Sequence, residues 1–285
     1  MTQSPGKRSE EFLKISAEFR LGALVTESSH PVTANLSEVA KRDIGEALDL
    51  LFEVDGDVVA KYREFAESGL AGRIGDTVLT ALRKGGRVFF TGCGSTGRLS
   101  IQLASIWRDF WRRRRARGLV CPPHPEDWED RAISVMAGGD FALIKSVEGF
   151  EDFAAFGRKQ LGDLGVSGND VVFAITEGGE TSFVIGTAWK GVEAGAKVYF
   201  VYNNPDEVLR RHVRRSREVL EEPRIEKINL TTGPMACRLD ADAGDNHPAL
   251  RSADGPGNGA ARPCERARFR AGSRWGFRFR SGEVS

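Results

Sequence analysis

The spacing of apolar residues changes at Gly85-Gly86. Before that point, apolar side chains recur every three to four positions: Ala40, Ile44, Ala47, Leu48 and Leu51, then Val58, Val59, Tyr62 and Phe65, then Ile74, Val78 and Leu82. That period predicts helices from Leu36 to Lys84, and the paired glycines predict their stop. Beyond it the apolar residues gather into short runs rich in β-branched and aromatic types. Val88–Thr91, Ile133–Met136, Val171–Ile175, Lys197–Tyr202 and Ile225–Leu230 read as strands. Between them Gly97–Arg115, Phe141–Leu164, Thr181–Ala194 and Asp206–Glu222 read as helices. Strict alternation implies right-handed βαβ crossovers. The expected fold is α/β, a five-stranded, mostly parallel, doubly wound sheet with an N-terminal helical layer. Residues 1–23 read as a flexible N-terminus and 24–84 as the helical segment, with Leu24–Glu27 a loop ahead of its helices. Residues 85–236 form the sheet domain. From Arg238 to Ser285 there is no lysine and no apolar period, so 237–285 reads as a disordered tail.

Ligands of such sheets sit at the carboxyl ends of the strands. After the first strand comes Gly92-Cys93-Gly94-Ser95-Thr96-Gly97. Glycines let backbone N–H groups approach a ligand, and Ser95 and Thr96 are placed to cap the next helix, whose free N–H groups favour an anion. The spacing also fits a dinucleotide fingerprint. However, the acid that would hold a ribose is missing: only Gly139-Asp140 follows the second strand. A sugar phosphate fits better. Gly138-Gly139-Asp140 leads into a stretch holding Glu148, Glu151 and Asp152, where Glu148 and Glu151 would share one helix face. After the third strand, Thr176-Glu177-Gly178-Gly179-Glu180-Thr181-Ser182 again joins glycines and hydroxyls to a helix start. Two such loops in one sheet could hold a phosphorylated polyol at both ends. Asn203-Asn204-Pro205-Asp206 reads only as a turn and helix cap.

Composition narrows the field. A net charge of +1 over 285 residues draws the chain to neither nucleic acid nor membrane. Arg112 to Arg115 with Arg117 read as a solvated helix end. No apolar run reaches the ~20 residues of a membrane helix, and the start has no signal-like apolar stretch. Cys93, Cys121, Cys237 and Cys264 have no metal-binding or disulfide spacing, and His30, His124, His212 and His247 are scattered. A reducing cytoplasm is expected, with no metal and no cofactor.

In order, GCGSTGRLS, AGGD, VEGFED, ITEGGETSFVIG and TTGPMA resemble the sugar isomerase (SIS) domain family. Within it they are similar to the branch shared by N-acetylmuramic acid 6-phosphate etherases and glucokinase regulatory proteins. LVTE near the start resembles the etherase opening motif, and the likeness runs from Leu24 to Ala236. It implies a phosphosugar site. Gly94, Ser95 and Thr96 would contact the phosphate, Glu148 and Glu151 would reach the sugar, and Thr176, Glu177 and Gly178, with Glu180 and Thr181, would close the pocket. It also implies a homodimer or a second SIS domain, and a protein partner such as a sugar kinase. Of the two glutamates that serve the etherases, one matches Glu151. The other falls at Ile106, which cannot transfer a proton. The expected role is therefore ligand sensing or regulation. The alternatives are a carbon–oxygen lyase with Glu177 or Glu180 substituting, and a structural protein with a vestigial site.

The resemblance breaks after Thr232-Gly233-Pro234-Met235-Ala236. Relatives continue with Gly-Ser-Ser/Thr-Arg-Met and a long apolar helix. Codons for Arg238 to Arg251, read one nucleotide later, can give Gly-Ser-Thr-Arg-Met-Gln-Ala-Thr-Thr-Ile-Gln-Leu-Cys. Only the middle base of each shifted codon is free, so the expectation is a shifted reading frame from about Cys237.

Overall fold

A computed structural model describes residues 13, 14, 16, 20–118, 128–145, 147 and 149–237. The expectations for residues 1–12, Cys121, His124, Glu148, His247, Cys264 and the tail from Arg238 lie outside these residues. The helical segment is α1 Leu36–Arg42, α2 Ile44–Glu67 and α3 Leu70–Arg83. Asp43 caps α2 by accepting from the N–H groups of Gly45 and Glu46. Gly85, with φ +77°, ends α3 as the glycine pair predicted.

The strands are β1 Val88–Gly92, β2 Ala132–Met136, β3 Val171–Ile175, β4 Lys197–Tyr202 and β5 Ile225–Asn229, all parallel, in the order β2-β1-β3-β4-β5. The chain leaves β1 toward β2 and returns to β3 on the other side. The crevice above β1 and β3 is thus the switch point where such sheets take ligands. The helices after β1 are α4 Gly94–Ala116, α5 Phe141–Ile144, α6 Ala154–Asp163, α7 Ser182–Glu193, α8 Asp206–His212 and α9 Arg214–Glu221.

Alternation along each strand separates two cores. Phe89, Val172, Ala174, Val198 and Phe200 pack with Leu161, Phe183, Ala188 and Leu220 from α6, α7 and α9. On the other face Val171, Tyr199 and Ile228 meet Ala81 of α3, with Phe173 and Phe65 alongside. Phe90, Phe173 and Tyr199 stack across three strands there, with centroids 5.4 and 5.0 Å apart. The α4 helix shares this face: Ser100 and Ser134 join hydroxyls at 2.7 Å, and Ser134 is in register with Phe90.

Two expected helices are broken. Among the described residues of Phe141–Leu164, only α5 and α6 are helical, with turns and extended backbone between, where Gly149 has φ +82°. Asp206–Glu222 is interrupted at Val213, whose φ of −130° and ψ of 102° are extended. Val213 is fully buried, and both helices stay bonded to it: its N–H donates to the Leu209 carbonyl and its carbonyl accepts from Arg217 N–H. The basic run is not simply solvated either. Arg112 and Arg115 both pair with Glu129, and Arg108 pairs with Asp130. Beside them in the chain, Trp111 packs against both Trp107 and Trp128. Among the described residues no helix is long and apolar enough to cross a membrane.

Candidate functional site

The loop after β1 is built by close approach. A Cβ on Gly97 would lie 2.7 Å from Met136 Cγ and 3.1 Å from the Gly92 carbonyl oxygen, so only glycine lets α4 start this near the sheet. Gly94 has φ +51°, a conformation that favours glycine, and opens the helix immediately. The helix therefore begins three residues earlier than its sequence suggests. Ser95 and Thr96 are not caps: they lie inside the first turn, and Cys93 occupies the N-cap position with no side-chain hydrogen bond. The first N–H groups of any helix lack intrahelical partners. Here the N–H groups of Gly94, Ser95 and Thr96 and the two hydroxyls point to no acceptor among the described residues. Ser95 is exposed and Thr96 half-buried. This cradle suits an anion.

The loop after β3 has the same composition and a different state. Thr176 and Thr181 spend their hydroxyls on each other at 2.9 Å. Gly178 gives its carbonyl to Asn204 Nδ2 at 2.9 Å, and Gly179 gives its own to Ser216 Oγ at 2.7 Å. Arg215 donates to the Glu180 carbonyl and pairs with Glu180 Oε2 at 2.7 Å. Glu177 stands exposed at the rim, and its backbone carbonyl accepts from Asn203 N–H. Its carboxyl is raised above the ordinary range, first by lost hydration and then by the charges of Glu27 and Glu180. The second loop is thus a wall, held from behind by α9.

Glu151 comes to the same place by another route. Glu148 lies outside the described residues, and Glu151 lies in a turn rather than a helix. The Glu151 carbonyl accepts from Phe183 N–H at 2.9 Å, which ties it to the first turn of α7. Its side chain lines a cleft of about 110 Å³ with Cys93, Gly94, Arg98, Met136, Ala137 and Phe150. Cys93 reports how closely the loops converge. Its thiol is pushed up to about 12, mostly by burial and then by the charges of Glu151 and Glu180. Ile106 is not in this cleft. It stands 57% exposed on the outer side of α4.

Sequence reasoning missed Asn204, which is fully buried. Its Oδ1 accepts from the N–H groups of Val25 and Thr26 at 2.8 and 3.2 Å, and its Nδ2 reaches Thr26 Oγ1 at 2.9 Å. Leu24–Glu27 is therefore no free loop: Leu24 is buried in the core and Val25–Glu27 is a 3₁₀ turn set beside the second loop. The strap continues to the end of the sheet, where His30 N–H donates to the Met235 carbonyl and Met235 N–H to that of Ser28. Arg98, Arg215 and Ser216 were also missed. An asparagine following a strand was the one available signal. Arg215 and Ser216 lie in an arginine-rich helix with no local mark.

Residues 70–189 match the family described as the glucokinase regulatory protein N-terminal SIS domain. Gly94 through Thr181 lie within that stretch. N-acetylmuramic acid 6-phosphate etherase 1 of Bacillus licheniformis is 32% identical over 150 residues, covering 53% of this chain and 45% of its own. The N-acetylmuramic acid 6-phosphate etherase of Synechocystis is 31% identical over 185 residues, covering 65% and 54%. The chain thus spans about half the length of the curated relatives it matches. Phosphoheptose isomerase GmhA from Neisseria gonorrhoeae aligns at 14% identity over 73% of this chain and 94% of its own, with a TM-score of 0.43.

Proposed function

We propose that this chain, which belongs to the sugar isomerase (SIS) domain family, binds a phosphorylated sugar as a sensor or regulator and does not turn it over. The observation that carries the reading is the open first turn of α4, where Gly94, Ser95 and Thr96 offer N–H and hydroxyl donors to an anion at the switch point. Arg98 adds a cation on the cleft wall, and Glu151 faces the same cleft as an acceptor for sugar hydroxyls. Thr176, Glu177, Gly178, Glu180 and Thr181 would close the pocket from the loop after β3, which Asn204 and Arg215 hold in place. Preorganisation of this kind favours binding.

A non-catalytic role follows from the acids. Proton transfer from a positioned side chain typically contributes about 10²–10⁴-fold. Ile106 can supply none, and Glu180 is committed to Arg215. A protein partner such as a sugar kinase would then read the liganded state. Binding is tested by thermal shift with fructose 6-phosphate, fructose 1-phosphate and N-acetylmuramic acid 6-phosphate. Stabilisation without turnover supports the proposal, and no stabilisation by any of them points to a vestigial site.

The second reading is lactyl-ether elimination. Glu177 favours it, because a carboxyl raised above its ordinary range suits a general acid. Lactate release from N-acetylmuramic acid 6-phosphate, abolished in Glu151→Gln, would establish this reading over the first.

A further inference from the structure

The apolar period that predicts α2 is mostly left uncovered. Of its 24 residues only Ala47 and Val54 are buried, with Phe65 packed against the sheet. Ile44, Leu48, Leu51, Asp55, Val58 and Tyr62 run along the outer side, spaced four, three, four, three and four residues apart. That is a heptad seam, about 27 Å long at the helical rise. Phe52 and Val59 widen it. Ile44, Phe52 and Tyr62 are 70, 66 and 68% exposed. One seam position is not apolar. Asp55, in the middle, is exposed and meets no base among the described residues. The helix as a whole carries seven acids and two bases, a net charge of −5. It is also held in place: Asp43 caps its start, and Asp57 pairs with His30 at 3.3 Å.

A second copy of α2 does not satisfy this seam. Laid antiparallel in full overlap, it sets Asp55 against Leu51; laid parallel, it sets Asp55 against Asp55. Either way a carboxylate enters an apolar seam without a counter-charge, which is costly. Two helices of charge −5 also repel. The same field turns away nucleic acid and anionic lipid. What fits is opposite charge on the same spacing. We propose that this face of α2 docks an amphipathic basic helix of another protein, laid along the seam with a lysine or arginine opposite Asp55. This is helix-in-groove recognition, with the apolar positions as anchors. A lone polar residue at a seam position fixes register, so Asp55 selects which turn of the partner meets which turn of α2. Docking here needs nothing from the anion cradle.

The experiment is fluorescence anisotropy of a labelled three-heptad peptide titrated with the full chain. The peptide carries leucine at the seam positions, one arginine at the central one and lysine at most others. A peptide of the same composition in scrambled order controls for charge alone. The ordered peptide is expected to bind at least about tenfold more tightly than the scrambled one, since only it can bury its leucines together. Asp55→Lys is expected to weaken binding at least about tenfold. A peptide with glutamate in place of the arginine is expected to regain the loss on that variant, because close charge pairs across an interface are strongly coupled. Phe52→Ser with Tyr62→Ser, at exposed positions and checked for an unchanged unfolding midpoint, is expected to abolish binding. Equal binding of ordered and scrambled peptides, affinity indifferent to either variant, or no binding at all would each overturn the proposal. Sedimentation velocity of the full chain tests the other occupant. A dimer that Phe52→Ser with Tyr62→Ser dissolves would give this face to a second copy and overturn the proposal as well; association unchanged by that pair of substitutions is the expected result.

Discussion

Asn204 and Thr26, 178 positions apart, form a two-way contact in which the asparagine carboxamide accepts from the threonine N–H at 3.2 Å and donates to its hydroxyl at 2.9 Å. With Val25 N–H and the Gly178 carbonyl, every polar atom of this fully buried side chain is used. It thereby fixes the N-terminal strap to the second loop of the site.

Asn204→Ala is expected to lower stability by about 2–4 kcal/mol, because several buried donors and acceptors lose their partner together. Urea unfolding at constant slope measures it. A change below about 0.5 kcal/mol, the range of ordinary surface substitutions, would show that the strap is loosely held.

Glycine at 157 is a packing requirement. A Cβ there would lie 2.0 Å from the Phe183 carbonyl oxygen, so α6 and α7 must part to admit it. Gly157→Ala is expected to cost about 3 kcal/mol and to disturb Glu151, which hangs on Phe183 N–H. Gly162→Ala is the control. Its Cβ meets only the flexible end of Lys190 at 3.1 Å, and because alanine is the better helix former a net change within about 1 kcal/mol is expected. Equal losses at the two positions would contradict this packing.

Much of this was legible in the chain. Both glycine-hydroxyl loops, all five strands and the stop at Gly85 follow from local pattern, since a buried parallel strand must be a short apolar run. What escaped depended on distance in sequence. Nothing near Asn204 marks it as the anchor of Thr26, and nothing near Arg215 marks it as the partner of Glu180. The helix predicted over Phe141–Leu164 is broken at residues 149–153, because helical spacing of side chains says nothing about whether the backbone between them is wound. The caps at Ser95 and Thr96 failed because Gly94, at positive φ, starts the helix ahead of them.

The thiol of Cys93 is expected to stay protonated at neutral and mildly alkaline pH, since burial and the charges of Glu151 and Glu180 push it up to about 12. Only the thiolate reacts, so iodoacetamide at pH 8.5 should label Cys93 at least about a hundredfold more slowly than exposed Cys237. Glu151→Gln removes one of the raising charges and should speed the labelling of Cys93, as read by peptide mass mapping. Because this folded-state value lies above the unfolded one, the stability it carries is full below about pH 8.5 and declines as pH rises toward 12. Fast, pH-independent labelling would show the loops are not converged around it.

The shifted frame is checked on nucleic acid. Coding DNA beyond Ala236, read one nucleotide later, is expected to encode Gly-Ser-Thr-Arg-Met followed by an apolar helix. A chain rebuilt in that frame should bind phosphosugar more tightly than this one. Any other sequence in the shifted frame contradicts the idea.

The central claim is an anion cradle at the first turn of α4 that takes the phosphate of a sugar. Titration calorimetry with fructose 6-phosphate and with unphosphorylated fructose tests it most directly, alongside the Ser95→Ala, Thr96→Ala double variant. Binding of the phosphorylated sugar alone, weakened at least about tenfold when both hydroxyls are removed, is the result this account requires. Equal binding of the two sugars, or affinity unchanged in the double variant, would contradict it.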